Sequence, residues 1–245
     1  MQKQGCFTGT AGWGISARYK EDFPQSGSHL ERYAERLPIV EIDTSFYKPH
    51  RRETYERWKD SVPEHFRFSV KAPKAVTHER RLVGCEDLVE AFLLEVEGLG
   101  AKLSVLVVQL PPGLAFDPDI AACFFAMLRK RTVVKLACEP RHPSWFAADA
   151  DALLAGCGVA RIAADPALVP AAALPGGWAG LAYFRMHGAP RIYYSDYDAE
   201  RLNQIGRQMQ TAAAAGAEVW CIFDNTADGH ALGNALVIGH FCTRQ

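Results

Sequence analysis

Eight short apolar runs, most of them followed by a segment with helical spacing, constrain this chain more than any other feature of its sequence. The strand-like runs fall at residues 6–10, 39–43, 66–70, 103–109, 133–138, 160–164, 181–186 and 219–223. Segments with helical apolar spacing follow at 29–37, 53–61, 87–99, 118–130, 147–155, 199–215 and 232–241. Strands alternating with helices call for a parallel sheet, because only a crossover of this length brings a strand back parallel to the last. Eight such units in 245 residues match the roughly 250 typical of a closed (β/α)8 barrel. The expected fold is therefore α/β, a single TIM barrel, with one domain spanning 1–245. After the sixth strand, residues 166–180 are rich in Pro, Ala and Gly, so the helix there is expected to be reduced or replaced by a loop.

Composition removes several function classes. The net charge of -1 gives no chain-wide basic footprint for nucleic acid. Residues 1–5 are polar, and no apolar run approaches the length of a membrane span. A cytoplasmic location is expected, without membrane partners, and no protein partner is readable. The seven cysteines form no Cys-x-x-Cys pair, so buried free thiols are expected rather than a zinc site or a disulfide frame.

Side chains two apart on a strand share a face, and the outer face of a barrel strand packs under helices. The polar sets Glu41 with Asp43, Arg67 with Ser69 and Lys71, Lys135 with Glu139, and Tyr183 with Arg185 and His187 are therefore expected to point inward. Glu41, Arg67 and Lys135 are read as a paired ionic layer beneath a pocket, since an isolated buried charge is very costly. The strand ends carry a second set, on the face where TIM barrels place their chemistry. Asp43, Lys71, Glu139 and His187 are the candidate catalytic groups, as acids, bases or charge stabilisers near neutral pH. Trp13, Tyr47, His78, Gln109, Arg141, His142, Arg185 and Asn225 are candidate ligand contacts, with arginine suited to phosphate or carboxylate. Phe46, Trp145, Tyr193 and Tyr194 add aromatic surface at the same ends; Trp145 is read as an anchor of the fifth helix. A divalent metal is a candidate cofactor, with Asp43, Glu139, His187 and Asp224 as ligands and His142 as a further donor. Strand-end ligands have no diagnostic spacing, and no Gly-rich phosphate loop, nucleophile elbow or His-Glu-x-x-His motif is present.

Taken in order, these strand-end stretches resemble the YecE-like family, the domain of unknown function 72. The matching stretches are Gly-Thr-Ala-Gly-Trp (9–13), Val-Glu-Ile-Asp-Thr-Ser-Phe-Tyr (40–47) and Phe-Arg-Phe-Ser-Val-Lys-Ala-Pro (66–73). Thr77-His78, Val-Gln-Leu-Pro-Pro (108–112), Glu-Pro-Arg-His-Pro-Ser-Trp (139–145), Arg-Met-His-Gly (185–188) and Phe-Asp-Asn-Thr (223–226) complete the set. The resemblance covers nearly the whole chain. It implies a TIM barrel and no established activity. At two positions, Asp43 and Asp224, this chain carries Asp where the family more often has Asn, which adds negative charge to the mouth.

Three functions remain open on these residues. One is an enzyme acting by acid/base chemistry on a small anionic or sugar-phosphate-like ligand. Another is metal-dependent handling of a phosphodiester, resembling apurinic endonucleases, with nucleic acid as partner. The third is a ligand-binding barrel without turnover.

Overall fold

The computed structural model describes residues 5–243, with the side chains of Cys242 and Thr243 outside the description. Its core is a ring of parallel strands: β1 (Cys6–Ala11), β2 (Ile39–Ile42), β3 (Arg67–Lys71), β4 (Leu103–Gln109) and β5 (Lys135–Glu139) pair in sequence order. The sixth strand is split into β6 (Val159–Arg161) and β7 (Ala163–Asp165). A two-residue strand, β8 (Gly176–Gly177), follows it, and β9 (Leu181–Met186) and β10 (Glu218–Phe223) complete the set. β6 pairs with β5 and β7 with β9; β10 then joins β9 to β1, so the chain turning at Ile162 carries the ring round to its start. This is the expected TIM-type barrel.

Helices α1 (His29–Ala34), α2 (Arg52–Asp60), α3 (Glu86–Val96), α4 (Pro118–Arg131), α5 (Ala148–Gly156), α6 (Ala199–Ala214) and α7 (Ala231–Thr243) lie in the strand-to-strand connections and after the last strand. Their ends are locally encoded. Ser28 and Glu31 form a reciprocal capping box on α1. Asp117 accepts from Asp119 N and Ile120 N to start α4, whose last turn carries Arg129, Lys130 and Arg131 against the helix dipole. As expected, no helix follows the sixth strand; a 3-10 turn, Pro170–Ala173, and β8 stand in its place. Arg161 secures that substitute, donating from Nε to Asp151 Oδ1 at 2.7 Å and from Nη1 to Ala171 O and Leu174 O.

Several boundaries differ from the sequence reading. α1 stops at Ala34, short of residue 37, in a turn before Pro38. β5 begins at Lys135 rather than 133, because Val133, though apolar, is 100% exposed. Cys85, Cys138 and Cys221 are buried as expected, but Cys123 lies exposed on α4, and Cys6 and Cys157 are half-buried.

Two apolar layers result. The outer one, between strands and helices, includes Val40, Phe68, Leu106, Leu136, Phe184 and Phe223. The inner one fills the barrel with Ile39, Val105, Ala137, Ile162, Tyr183, Trp220 and Ile222. Tyr183 and Trp220 stack at 6.0 Å. That inner layer lies where an ionic layer of Glu41, Arg67 and Lys135 was expected. Arg67 instead donates to Glu64 O and Phe66 O, and Lys135 pairs with Glu218 at 2.6 Å. Both open their strands, so their charges reach the chain entering the barrel.

β1 and β2 leave no room for a side chain at Gly9, where an added Cβ would sit 2.1 Å from Ile39 O. Gly9→Ala is expected to destabilise the protein by at least about 1–3 kcal/mol in urea denaturation. Gly14→Ala, at a site with open space around the built Cβ, should leave the urea midpoint close to that of the parent.

Candidate functional site

The C-terminal strand ends gather one charged cluster, centred on Arg185 of β9. Arg185 is fully buried. Its Nη1 donates to Glu139 Oε2 at 2.5 Å, and its Nη2 to Glu41 Oε1 at 2.6 Å and Asp224 Oδ2 at 3.3 Å. Asp43 Oδ1 lies 3.7 Å from the same Nη2. Burial opposes the guanidinium charge, but Glu41, Glu139, Asp224 and Asp43 outweigh it and raise Arg185 well above its ordinary value.

His187, two residues on and also fully buried, extends the cluster. Its Nδ1 lies 2.9 Å from Asp224 Oδ2 and its Nε2 2.9 Å from Glu139 Oε1. Burial would lower this imidazole, but Glu139 and Asp224 raise it above its ordinary value. With a carboxylate on each ring nitrogen, the favoured form is the imidazolium. Glu139 Oε1 also takes Arg141 Nη2 at 2.5 Å, so one oxygen serves two cations, and Arg141 Nη2 comes within 2.8 Å of His187 Nε2. Despite its burial, Glu139 is held well below the usual carboxylate range by Arg185, Arg141 and His187. Asp224 is lowered as well, His187 and Arg185 overcoming burial.

Glu41 behaves differently. Burial raises its carboxyl against the pull of Arg185, and Asp43 and Asp224 add to the rise. Its second oxygen accepts from Tyr183 Oη at 2.8 Å, and Ser69 Oγ lies 2.8 Å from that same hydroxyl. Glu41 thus belongs to the charged cluster at the strand ends rather than to a layer beneath it. Tyr183 and Ser69, which the sequence offered only as members of inward-facing sets, fix its orientation.

Nearer the solvent, Lys71 Nζ lies 2.9 Å from Asp43 Oδ1, an ionic contact without hydrogen-bond alignment, and 4.1 Å over the Phe46 ring. Ser45 Oγ donates to Lys71 O at 2.7 Å, which ties the turn after β2 to the end of β3. His78 stands edge-on to Phe46 at 5.0 Å; burial, with Lys71 and Lys74 adding to it, lowers its imidazole. Tyr47 is largely exposed at 76% and touches Phe46. Gln109 ends β4 half-buried, and its side-chain amide makes no hydrogen bond to the described residues.

The structure thus brings together Asp43, Lys71, Glu139, Arg141, Arg185, His187 and Asp224, with Tyr47 and His78 on the turns after β2 and β3 and Gln109 at the end of β4. Three candidates also have structural partners, although Asn225 Oδ1 is left buried without a hydrogen-bond partner among the described residues. His142 Nδ1 accepts from Ser144 N and caps the turn Pro143–Phe146. Asn225 Nδ2 donates to Ser195 O and Asn234 Oδ1, bracing a loop. Trp13 packs edge-on to Trp58 at 5.0 Å. Trp145 is buried and donates to Leu114 O at 2.9 Å, as an anchor would. Among the described residues, no three His, Cys, Asp or Glu side chains converge as metal ligands would. The candidates Asp43, Glu139, His187 and Asp224 instead turn their polar atoms toward Arg185, Arg141, Lys71 and one another.

The family model described as "Protein of unknown function DUF72" matches residues 7–243. The chain is 31% identical over 119 residues to UPF0759 protein YecE of Escherichia coli K12, covering 48% of this chain and 43% of that protein. It is 29% identical over 146 residues to UPF0759 protein YunF of Bacillus subtilis, covering 57% and 52%. The matched region spans about half the length of these relatives. A DUF72 family protein from Thermotoga maritima shares the fold with a TM-score of 0.79 at 23% identity, covering 96% of this chain and 98% of that one. One from Enterococcus faecalis gives 0.79 at 21%, covering 98% and 96%. No described helix is long and apolar enough to cross a membrane.

The raised imidazole of His187 has a pH signature. Its contribution to stability is complete below the ordinary value of 6.5 and is lost as pH rises through the higher folded value. Glu139 and Asp224 contribute in the opposite sense, above their ordinary 4.5 and 3.8, and lose that contribution as pH falls. Urea denaturation across pH 5–8, below the range in which the raised thiols Cys85, Cys138, Cys157 and Cys221 contribute, should show stability declining above about 6.5, by up to about 1.4 kcal/mol per pH unit. In His187→Gln that alkaline decline should disappear; an equal slope in both proteins would contradict a charged His187.

Proposed function

The chain belongs to the DUF72 family, and we propose that its barrel mouth binds a small anionic, hydroxylated metabolite of sugar-phosphate type and acts on it by proton transfer. The observation that carries this reading is the state of Arg141. Its contacts with Glu139 and His187 both run through Nη2, while Nε is buried without a hydrogen-bond partner among the described residues. A buried guanidinium nitrogen with no partner loses its hydration for nothing in return, unless a ligand atom supplies the acceptor. Arg185 Nε is likewise without a partner, but that side chain is 1% exposed, whereas that of Arg141 is 20% exposed and so the one a ligand can reach. The cation therefore reaches the mouth with donors to spare, and Arg matches carboxylate or phosphate oxygens in a fixed fork.

Lys71 supplies a second cation, and the open amide of Gln109 suits a hydroxyl or a carbonyl. Asp43, with 28% of its side chain exposed, is the carboxylate in this reading that meets the ligand and moves a proton, while Lys71 steadies its charge. His187 and Glu139 are positioning groups here. Both His187 nitrogens are already engaged, and Glu139 accepts from three cationic side chains. They fix the field around the ligand rather than exchange protons with it. The metal-dependent phosphodiester reading gains no support from side-chain placement, since the carboxylates answer protein cations.

A thermal-shift screen of sugar phosphates, sugar acids and neutral sugars is expected to show stabilisation by anionic members alone. Arg141→Met and Lys71→Met should each weaken that response at least about tenfold in apparent affinity, as loss of a charge-assisted contact does. With the ligand so found, Asp43→Asn should reduce turnover far more than binding. No stabilisation by any anionic sugar would overturn the reading. Binding without turnover in the parent protein would reduce it to a ligand-binding barrel.

A further inference from the structure

Tyr193 is set apart from the other aromatics of the mouth by its backbone. Its φ is +70°, in the left-handed region that a tyrosine rarely adopts. Two hydrogen bonds hold it there: its N–H donates to His187 O at 2.6 Å, and its carbonyl accepts from Ala227 N at 3.1 Å. The loop around it is braced as well. Gly188 N donates to Tyr197 Oη, Arg191 N to Ser195 Oγ, and Asn225 Nδ2 to Ser195 O. The conformation at 193 is thus imposed by the ends of β9 and β10, and glycine or asparagine would adopt it at lower cost. The backbone gives no reason for a tyrosine here. The reason must lie in its side chain.

That side chain lies over the charged cluster. The ring stands edge-on to His187, with centroids 5.9 Å apart and planes at 87°. It is 44% exposed, whereas the imidazole it covers is closed to solvent. The phenol is raised by burial, with Asp224 acting in the same direction and Arg141 and Arg185 opposing, so its oxygen lies within the field of these groups. No described residue hydrogen-bonds that hydroxyl. A half-exposed ring with an idle hydroxyl contributes little as core packing, yet it lies on the most charged chain of side chains in the molecule.

We propose that Tyr193 is a gating residue: its ring closes the His187–Glu139–Asp224 chain against water, and a ligand that engages this chain does so by taking the place of the ring. The backbone stays fixed and the side chain swings, since the loop is pinned on both sides of residue 193. This gate rests on the reading of the mouth as a ligand site, but the test below adds no ligand, so it stands or falls independently of a ligand screen.

The test follows the ring N–H protons of His187 by NMR at pH 6, measuring their exchange with water in the parent protein and in Tyr193→Gly, Tyr193→Asn and Tyr193→Phe. The indole N–H of Trp145, buried and bonded to Leu114 O, serves as the reference for global loosening. The Gly and Asn variants are expected to speed His187 exchange by about tenfold or more, with Trp145 unchanged and the melting midpoint unchanged or higher. Tyr193→Phe, which keeps the ring, should leave His187 exchange slow. Unchanged His187 exchange in folded Tyr193→Gly would overturn the gate. So would a lowered midpoint in both the Gly and Asn variants with Trp145 exchange rising in step, which would make the ring a packing element.

Discussion

Arg185 is the one side chain on which the upper half of this barrel depends. A guanidinium without solvent contact is tolerated only where its charge is answered, and three carboxylates answer it within 3.3 Å. Those carboxylates come from β2, from β5 and from the residue after β10, so the arginine of β9 ties strands from around the ring to one point. Breaking one partner out of a buried pair costs about 3–5 kcal/mol, because the remaining charge is stranded. The barrel below needs no such device. Its interior is filled by Ile39, Val105, Ala137, Tyr183, Trp220 and Ile222, held mainly by burial, with Tyr183 bonded upward to Glu41 and Trp220 Nε1 donating to Glu218 Oε1 at 2.8 Å.

This division of labour has a chemical consequence. Four carboxylates (Glu41, Asp43, Glu139 and Asp224) face four cations (Lys71, Arg141, Arg185 and His187), and in the deep members every polar atom but Arg185 Nε is engaged. Such a network is costly to assemble and rigid once made, and that rigidity preorganises a binding site. The groups left with spare valence toward the top are Arg141 Nε, the amide of Gln109 and the Asp43 carboxylate. A ligand would meet these, while Arg185, Glu139 and His187 beneath them stay where they are.

The ring of strands was legible because barrel strands carry local signals: apolar runs of the right length, separated by helices with their own caps. Period-two alternation also assigned faces well. It could not assign depth. Glu41 and Arg67 share an inward-facing reading, yet Glu41 joins the mouth and Arg67 folds back onto Glu64 O at the strand's start. The partner of Glu41 is 144 residues away, and no local pattern encodes a distance of that kind. Val133 misled for another reason, since hydrophobicity predicts burial only on average. His142 and Asn225 stand at strand ends like the members of the charged cluster, and the sequence carried no sign that His142 Nδ1 also caps a turn or that Asn225 Nδ2 also braces a loop. Tyr193 was legible as one aromatic of the mouth, but its backbone was not, because its left-handed φ follows from hydrogen bonds to His187 and Ala227.

The account as a whole turns on whether the mouth receives an anion at Arg141. The most direct measurement is an NMR titration with inorganic phosphate that follows the Nε–H resonance of Arg141. A saturable shift of that resonance, absent in an equal titration with sodium chloride, is the predicted result. An Arg141 Nε–H signal unmoved by phosphate, with other side chains shifting instead, would contradict it.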